Sequence, residues 1–155
     1  MKKIKLLILL SILTHGTLYS QWETKYHVND FGDQTCKTYE TFVVTGTFTN
    51  SANTNRDAAF AFIKDGKSLI IKVYEYGSNL ATSLDHSFEE VKIKLPGGKI
   101  LKLDSVPFTK QGSLCFKDQN FTEAISALSN SGPYTIVFDR TTDYSTSSYK
   151  VKFDL

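Results

Sequence analysis

The chain has 155 residues, with 18 basic and 16 acidic side chains and a formal net charge of +2. That length allows one ordinary domain with a sizeable core and leaves little room for two. The balance gives no basic surplus of the kind that neutralises nucleic-acid phosphates or an anionic bilayer, so no nucleic-acid partner is expected.

The N-terminus reads as an export signal. Lys2, Lys3 and Lys5 precede an apolar run from Leu6 to Leu13, interrupted only by Ser11, and a short polar stretch, Thr14 to Ser20, follows. The positive end stays on the cytoplasmic side while the apolar run enters the membrane. A spanning helix needs about 20 apolar residues, so this run is too short to anchor the chain. Cleavage after Ser20 is expected, with Gly16 as the alternative. The division is therefore a signal peptide over 1–20 and one β-rich domain over 21–155. No cysteine follows the cut directly, so no lipid anchor is expected, and no second apolar run predicts a span in the mature protein. Removing residues 1–20 takes three lysines and no acid, leaving 15 basic against 16 acidic residues. The mature protein is near neutral and belongs in the periplasm or outside the cell.

Along the mature chain, period-two alternation dominates. Trp22 to Val28 reads as a first strand. Residues 38–49 are rich in threonine, valine and aromatics and read as a second. NSANTNR is a loop. Ala59 to Lys64, the Asp65-Gly66 pair and Lys67 to Tyr76 read as a hairpin on a turn that needs positive φ. Residues 88–95 alternate Val91, Ile93 and Leu95 with charges, and Pro96-Gly97-Gly98 turns them into a strand carrying Leu101 and Leu103. Further strands are expected over 112–116, 134–139 and 149–155, with TTDYSTSS as a surface loop or hairpin tip. Between them, Phe121, Ala124, Ile125 and Leu128 fall at helical spacing, which predicts one short helix over about 120–130. Asn120 with Glu123 has capping-box spacing, and Gly132-Pro133 ends the helix. About eight hairpin-linked strands and one helix predict a mainly β fold, an antiparallel β-sandwich or a partly closed barrel.

Candidate chemistry is sparse. Cys36 and Cys115 are the only cysteines. In an exported chain an even count predicts a disulfide between them, against the alternative of two separate buried thiols. His27 and His86 flank strands, and no serine stands in a nucleophile elbow to partner either. Asp30, Asp33 and Glu40 form an acidic group near Cys36 that would suit paired-carboxylate hydrolysis or calcium, but NDFGDQ lacks calcium-loop spacing and reads as a polar loop. Gly97-Gly98-Lys99 precedes a strand, so its glycines are turn residues and not a phosphate cradle. The sequon at Asn120 coincides with the helix start, and the cap explains it equally well. No cofactor and no metal site are expected.

The aromatics carry more. Phe42, Phe48, Phe60, Phe62, Phe138 and Phe153 alternate within strands as core. Tyr74 and Tyr76 fall on one strand face and are candidates for a binding surface, since tyrosine joins a flat apolar body to a polar tip. The ordinary alternative is cross-strand packing.

The C-terminal segments GPYTIVF and SSYKVKFDL resemble the invasion-associated locus B type of small exported β-sandwich protein of Gram-negative bacteria. The resemblance covers about the last third of the chain, implies an exported β-sandwich, and transfers no functional residue. Together these features favour a non-catalytic exported module that binds a protein or a cell-surface glycan. A small secreted hydrolase using loop carboxylates and a structural envelope component are the alternatives.

Overall fold

A computed structural model of the chain describes residues 22–82, 86–142 and 145–155. The proposed signal, residues 1–20, lies outside them.

Among the described residues, ten strands and one helix follow one another as β1 (Glu23–Val28), β2 (Gln34–Thr49), β3 (Arg56–Asp65), β4 (Ser68–Glu75), β5 (Asn79–Leu80), β6 (Ser87–Lys94), β7 (Ile100–Phe108), β8 (Ser113–Phe116), α1 (Asp118–Ala127), β9 (Pro133–Thr141) and β10 (Thr146–Asp154). Eight of the strands close into an antiparallel barrel in the order β2-β10-β9-β6-β7-β8-β4-β3, and the β3–β2 pairing shuts the ring. β1 adds to β2, and β5 adds to β4. Of the two expected architectures, the barrel is the one formed. The expected strands are all present. Of the two readings of 141–148, the hairpin is the one formed: Thr141 at the end of β9 pairs with Thr146 at the start of β10.

The alternation read from sequence fills the barrel. Phe42 and Phe48 of β2, Phe60 and Phe62 of β3, Ile71 and Val73 of β4, Val91 and Ile93 of β6, and Tyr149, Val151 and Phe153 of β10 are all buried in one cluster. Their rings touch: Phe42 stacks on Phe62 at 4.4 Å, and Phe138 stacks on Tyr149 at 4.7 Å. An eight-stranded barrel is just wide enough for side chains to fill it, and here aromatics do so. Gly46 of β2 allows the tightest approach. A Cβ there would lie 2.4 Å from the Lys150 carbonyl oxygen and 2.8 Å from the Phe60 ring. Only glycine lets β10 and Phe60 close on β2 at that point.

One bulge shifts the pattern. Glu89 pairs with Val106 but Val91 pairs with Leu103, so β7 carries an extra residue, and Ser105 takes a φ of 54°. Inward positions therefore pass from Leu103 to Val106 and Phe108, all buried.

The two ends of the barrel are covered by residues that follow strands. After β4, the stretch that reaches Ala81 and Thr82 packs on one end, where Ala81 is buried, and α1, between β8 and β9, lies at the other. The helix buries Ala124, Ala127 and Leu128 and half-buries Phe121 and Ile125, which is the expected stripe. It begins earlier than the spacing predicts, and the capping box does not form. Lys117 is the N-cap without a side-chain bond, while Asn120 donates to the Asp104 carbonyl on β7.

The expected disulfide is also absent. Both cysteines are free. Cys36 is exposed on β2 outside the barrel wall, whereas Cys115 is half-buried on β8 opposite Ile70, and β3 and β4 stand between those strands. Compartment and even count say nothing about where strand order places two residues. Burial pushes the Cys115 thiol up, which keeps it protonated.

Candidate functional site

β2 is longer than the barrel needs. Its pairing with β3 runs from Glu40 to Phe48, and its first six residues extend past the Asp65-Gly66 turn. β1 pairs with that overhang, from Glu23 opposite Thr41 to Val28 opposite Gln34. The result is a two-stranded arm projecting from the helix end of the barrel. Its turn is built by Asn29, whose Oδ1 accepts from the backbone N–H groups of Phe31 at 3.0 Å and Asp33 at 2.9 Å. Gly32 supplies a φ of 86°. Asp30 and Asp33 are thus turn residues, and the Asn29 amide donates to the Asp33 carboxylate at 3.3 Å.

Side contacts hold the arm to the barrel. His27 lies 3.2 Å from Asp65 and packs against the Tyr39 ring at 5.1 Å. Trp22 meets Phe42 edge-on at 4.5 Å. Beyond these contacts the arm is bare: Phe31 is 90% exposed, and Val28 and Tyr26 are also open to solvent.

Between the arm and the end of α1 lies a cleft of about 340 Å³. Trp22 and Glu40 line it from the arm side, Lys64 from β3, and Leu128 to Ser131 from the end of the helix. Glu40 and Lys64 are cross-strand partners at inward-facing positions, and their charged groups meet at 2.6 Å. Their parity matches that of Phe42 and Phe62, but they stand where the barrel ends, so their heads reach the cleft. The far wall is fixed from below. The Tyr134 hydroxyl donates to the carbonyls of Ala127 and Asn130, and burial pushes its phenol up. Gly132 and Leu155 exchange two backbone hydrogen bonds, at 2.8 and 3.2 Å. By alternation, Tyr26 and Thr38, which pair with each other, continue the arm face that carries Trp22 and Glu40.

The other expected site residues are scattered. Tyr74 is half-buried and pairs with Leu80 of β5. Tyr76 falls just past β4 with a φ of 49°, packs on Phe48 at 5.1 Å, and accepts from Asn53 at 2.8 Å. The change of backbone region between them turns Tyr76 over the rim opposite the helix, so the two tyrosines do not continue one strand face. His86 is exposed before β6. Gly97 and Gly98 form the β6–β7 turn, both at positive φ. Among the described residues no cluster of three or more His, Cys, Asp or Glu side chains is grouped to hold a metal. No helix among them is long and apolar enough to cross a membrane.

Sequence reasoning passed over Trp22, Glu40 and Lys64 as a group. The signal was present in the alternation: Lys64 follows Phe60 and Phe62 in phase, and Glu40 precedes Phe42 in phase. A charge at core parity at the end of a strand marks the mouth of a barrel.

No family model matches the chain, and neither a curated protein nor a solved structure matches it.

Proposed function

We propose that the chain is an exported, non-catalytic binding module that holds a protein or a cell-surface glycan. One observation carries the reading: an arm with apolar residues bare to solvent, standing on a barrel whose interior is filled. Exposed apolar groups clustered at one projecting feature mark an interaction site more often than scattered ones do. A rigid barrel beneath them lowers the ordering cost of capture. Two of the loop carboxylates that the hydrolase alternative would use are already engaged, Asp33 in the arm turn and Glu40 with Lys64. The positive, apolar and polar order of residues 1–20 supports delivery to the periplasm or beyond, in keeping with the resemblance to small exported β proteins.

The test is co-sedimentation of the purified protein with isolated envelopes of its producing cells. Replacing Val28 and Phe31 together by serine touches no core residue, so the melting temperature should hold while retention falls at least about tenfold, the loss of one good apolar contact. Unchanged retention with an intact melting curve overturns the reading.

A further inference from the structure

We infer that the cleft between the arm and the end of α1 is a saccharide site, taking a neutral pyranose stacked against Trp22 with its hydroxyls held by Glu40 and Lys64. The inference rests on the binding-module reading and names the ligand class for it.

Three features select that chemistry. First, Trp22 is only partly buried: it packs against the core, meeting the Phe42 ring edge-on, and it also lines the cleft. A broad aromatic surface suits the flat C–H face of a sugar ring. Second, Glu40 and Lys64 offer an acceptor and a donor side by side, with side chains 41% and 35% exposed. Adjacent hydroxyls of a pyranose are themselves donor and acceptor pairs, so one sugar edge satisfies both groups. The ion pair is neutral as a unit. An anionic ligand would have to compete with Glu40 for Lys64, and a purely apolar ligand would strip water from both charges without replacing its hydrogen bonds. Third, a cleft of about 340 Å³ has room for one or two sugar rings. The remaining wall is part apolar, from Ile125, Leu128 and Leu155, and part polar, from Asn130 and Ser131. The Ser129 hydroxyl is turned back to the Ile125 carbonyl at 2.7 Å.

The molecule carries its own reporter, because Trp22 is its only tryptophan. The purified protein is titrated with cellobiose, maltose and N,N′-diacetylchitobiose while tryptophan emission is followed. At least one should give a saturable change, and Glu40→Gln combined with Lys64→Met should weaken it at least about tenfold, the value of one charge-assisted hydrogen bond. Glucuronic acid should bind more weakly than the neutral sugars. No saturable change with any of the three disaccharides overturns the inference. If the arm-tip variant still loses envelope retention in that case, the binding-module reading survives and the saccharide site alone falls. Saturable binding that the double variant leaves unchanged also overturns it, by moving the sugar elsewhere. So does sedimentation showing a dimer that shields Trp22, since a second copy would then be the occupant.

Discussion

The two ends of the barrel are covered and finished differently. One is packed by the residues around Ala81 that follow β4, the other by α1. At the end away from the helix, Ala81 and Thr82 are fastened from inside. The buried Arg140 donates to the Ala81 and Thr82 carbonyls at 3.0 and 3.1 Å and lies over the Phe108 ring at 4.7 Å. Gly112 packs so closely on Ala81 that a Cβ would meet its backbone at 2.9 Å. The Tyr149 hydroxyl donates to Glu75 at 2.5 Å, and Ser87 donates to the buried Glu89 at 2.5 Å. At the helix end, Tyr134 and the Gly132–Leu155 pair anchor the end of α1, but the wall facing the arm stays open. The difference teaches where a filled barrel leaves room for a ligand. One mouth places its polar groups inside and uses them as fastenings, whereas the other leaves a half-exposed ion pair and an indole beside a cleft.

Substitutions break or sharpen that contrast, and the largest effect belongs to the fastened end. Arg140→Met removes the donors of the Ala81 and Thr82 carbonyls and should cost about 3 kcal/mol by chemical denaturation. A loss below about 0.5 kcal/mol, the range of ordinary surface changes, would mean that the guanidinium is not the fastening.

Tyr149→Phe should cost about 2 kcal/mol at neutral pH, the range for a hydrogen bond to a charged acceptor. It also carries a pH signature. Burial pushes the Tyr149 phenol well up, and the Glu75 carboxylate beside it pushes in the same direction, against smaller opposing effects of a Ser147 hydrogen bond and the Arg140 charge. The folded state therefore holds the neutral phenol. Its contribution is whole below the ordinary tyrosine value near 10 and is lost as pH rises beyond it. Stability measured from about pH 8 to about pH 11 should fall more steeply for the native chain than for the phenylalanine variant. Parallel curves would refute the assignment.

Trp22→Ala, at the open end, should cost only about 1 kcal/mol, because the indole is half-buried and meets one core ring edge-on. A loss as large as that of Arg140→Met would make Trp22 a structural plug instead of a cleft wall.

How much of this was legible in the sequence follows from the range of the forces involved. The strands were readable because alternation is local: Tyr149, Val151 and Phe153 announce β10 without help from elsewhere. The Asp65-Gly66 turn announces its hairpin for the same reason. Closure was not readable. The β2–β3 pairing is local, but the ring also needs β10 to pair with β2 and β8 with β4 across long stretches of chain, and Gly46, where β10 and Phe60 come closest, looks in sequence like any glycine within a strand. The bulge at Ser105 was hidden because nothing in LDSVPF signals an extra residue. The disulfide expectation failed because redox compartment bears on whether cysteines oxidise and not on which strands separate them. The cleft was half legible. Glu40, Lys64, Glu75, Glu89 and Arg140 all stand at core parity near strand ends, a pattern that reports a barrel mouth but not which mouth is closed.

The smallest predicted effect separates the two mouths most sharply. Lys64→Met leaves Glu40 without its cation, yet both groups are more than a third exposed, so water can replace the lost partner. Half-exposed pairs contribute little, and the aliphatic stem of methionine preserves the contact along β3, so the change should stay within about 0.5 kcal/mol. High salt should shrink even that difference, since screening acts on exposed charges. The same kind of removal at Arg140 leaves the buried Ala81 carbonyl without its donor, where water does not readily replace it. A Lys64→Met loss near 3 kcal/mol, insensitive to salt, would place the Glu40–Lys64 pair among the fastenings and erase the distinction between the ends.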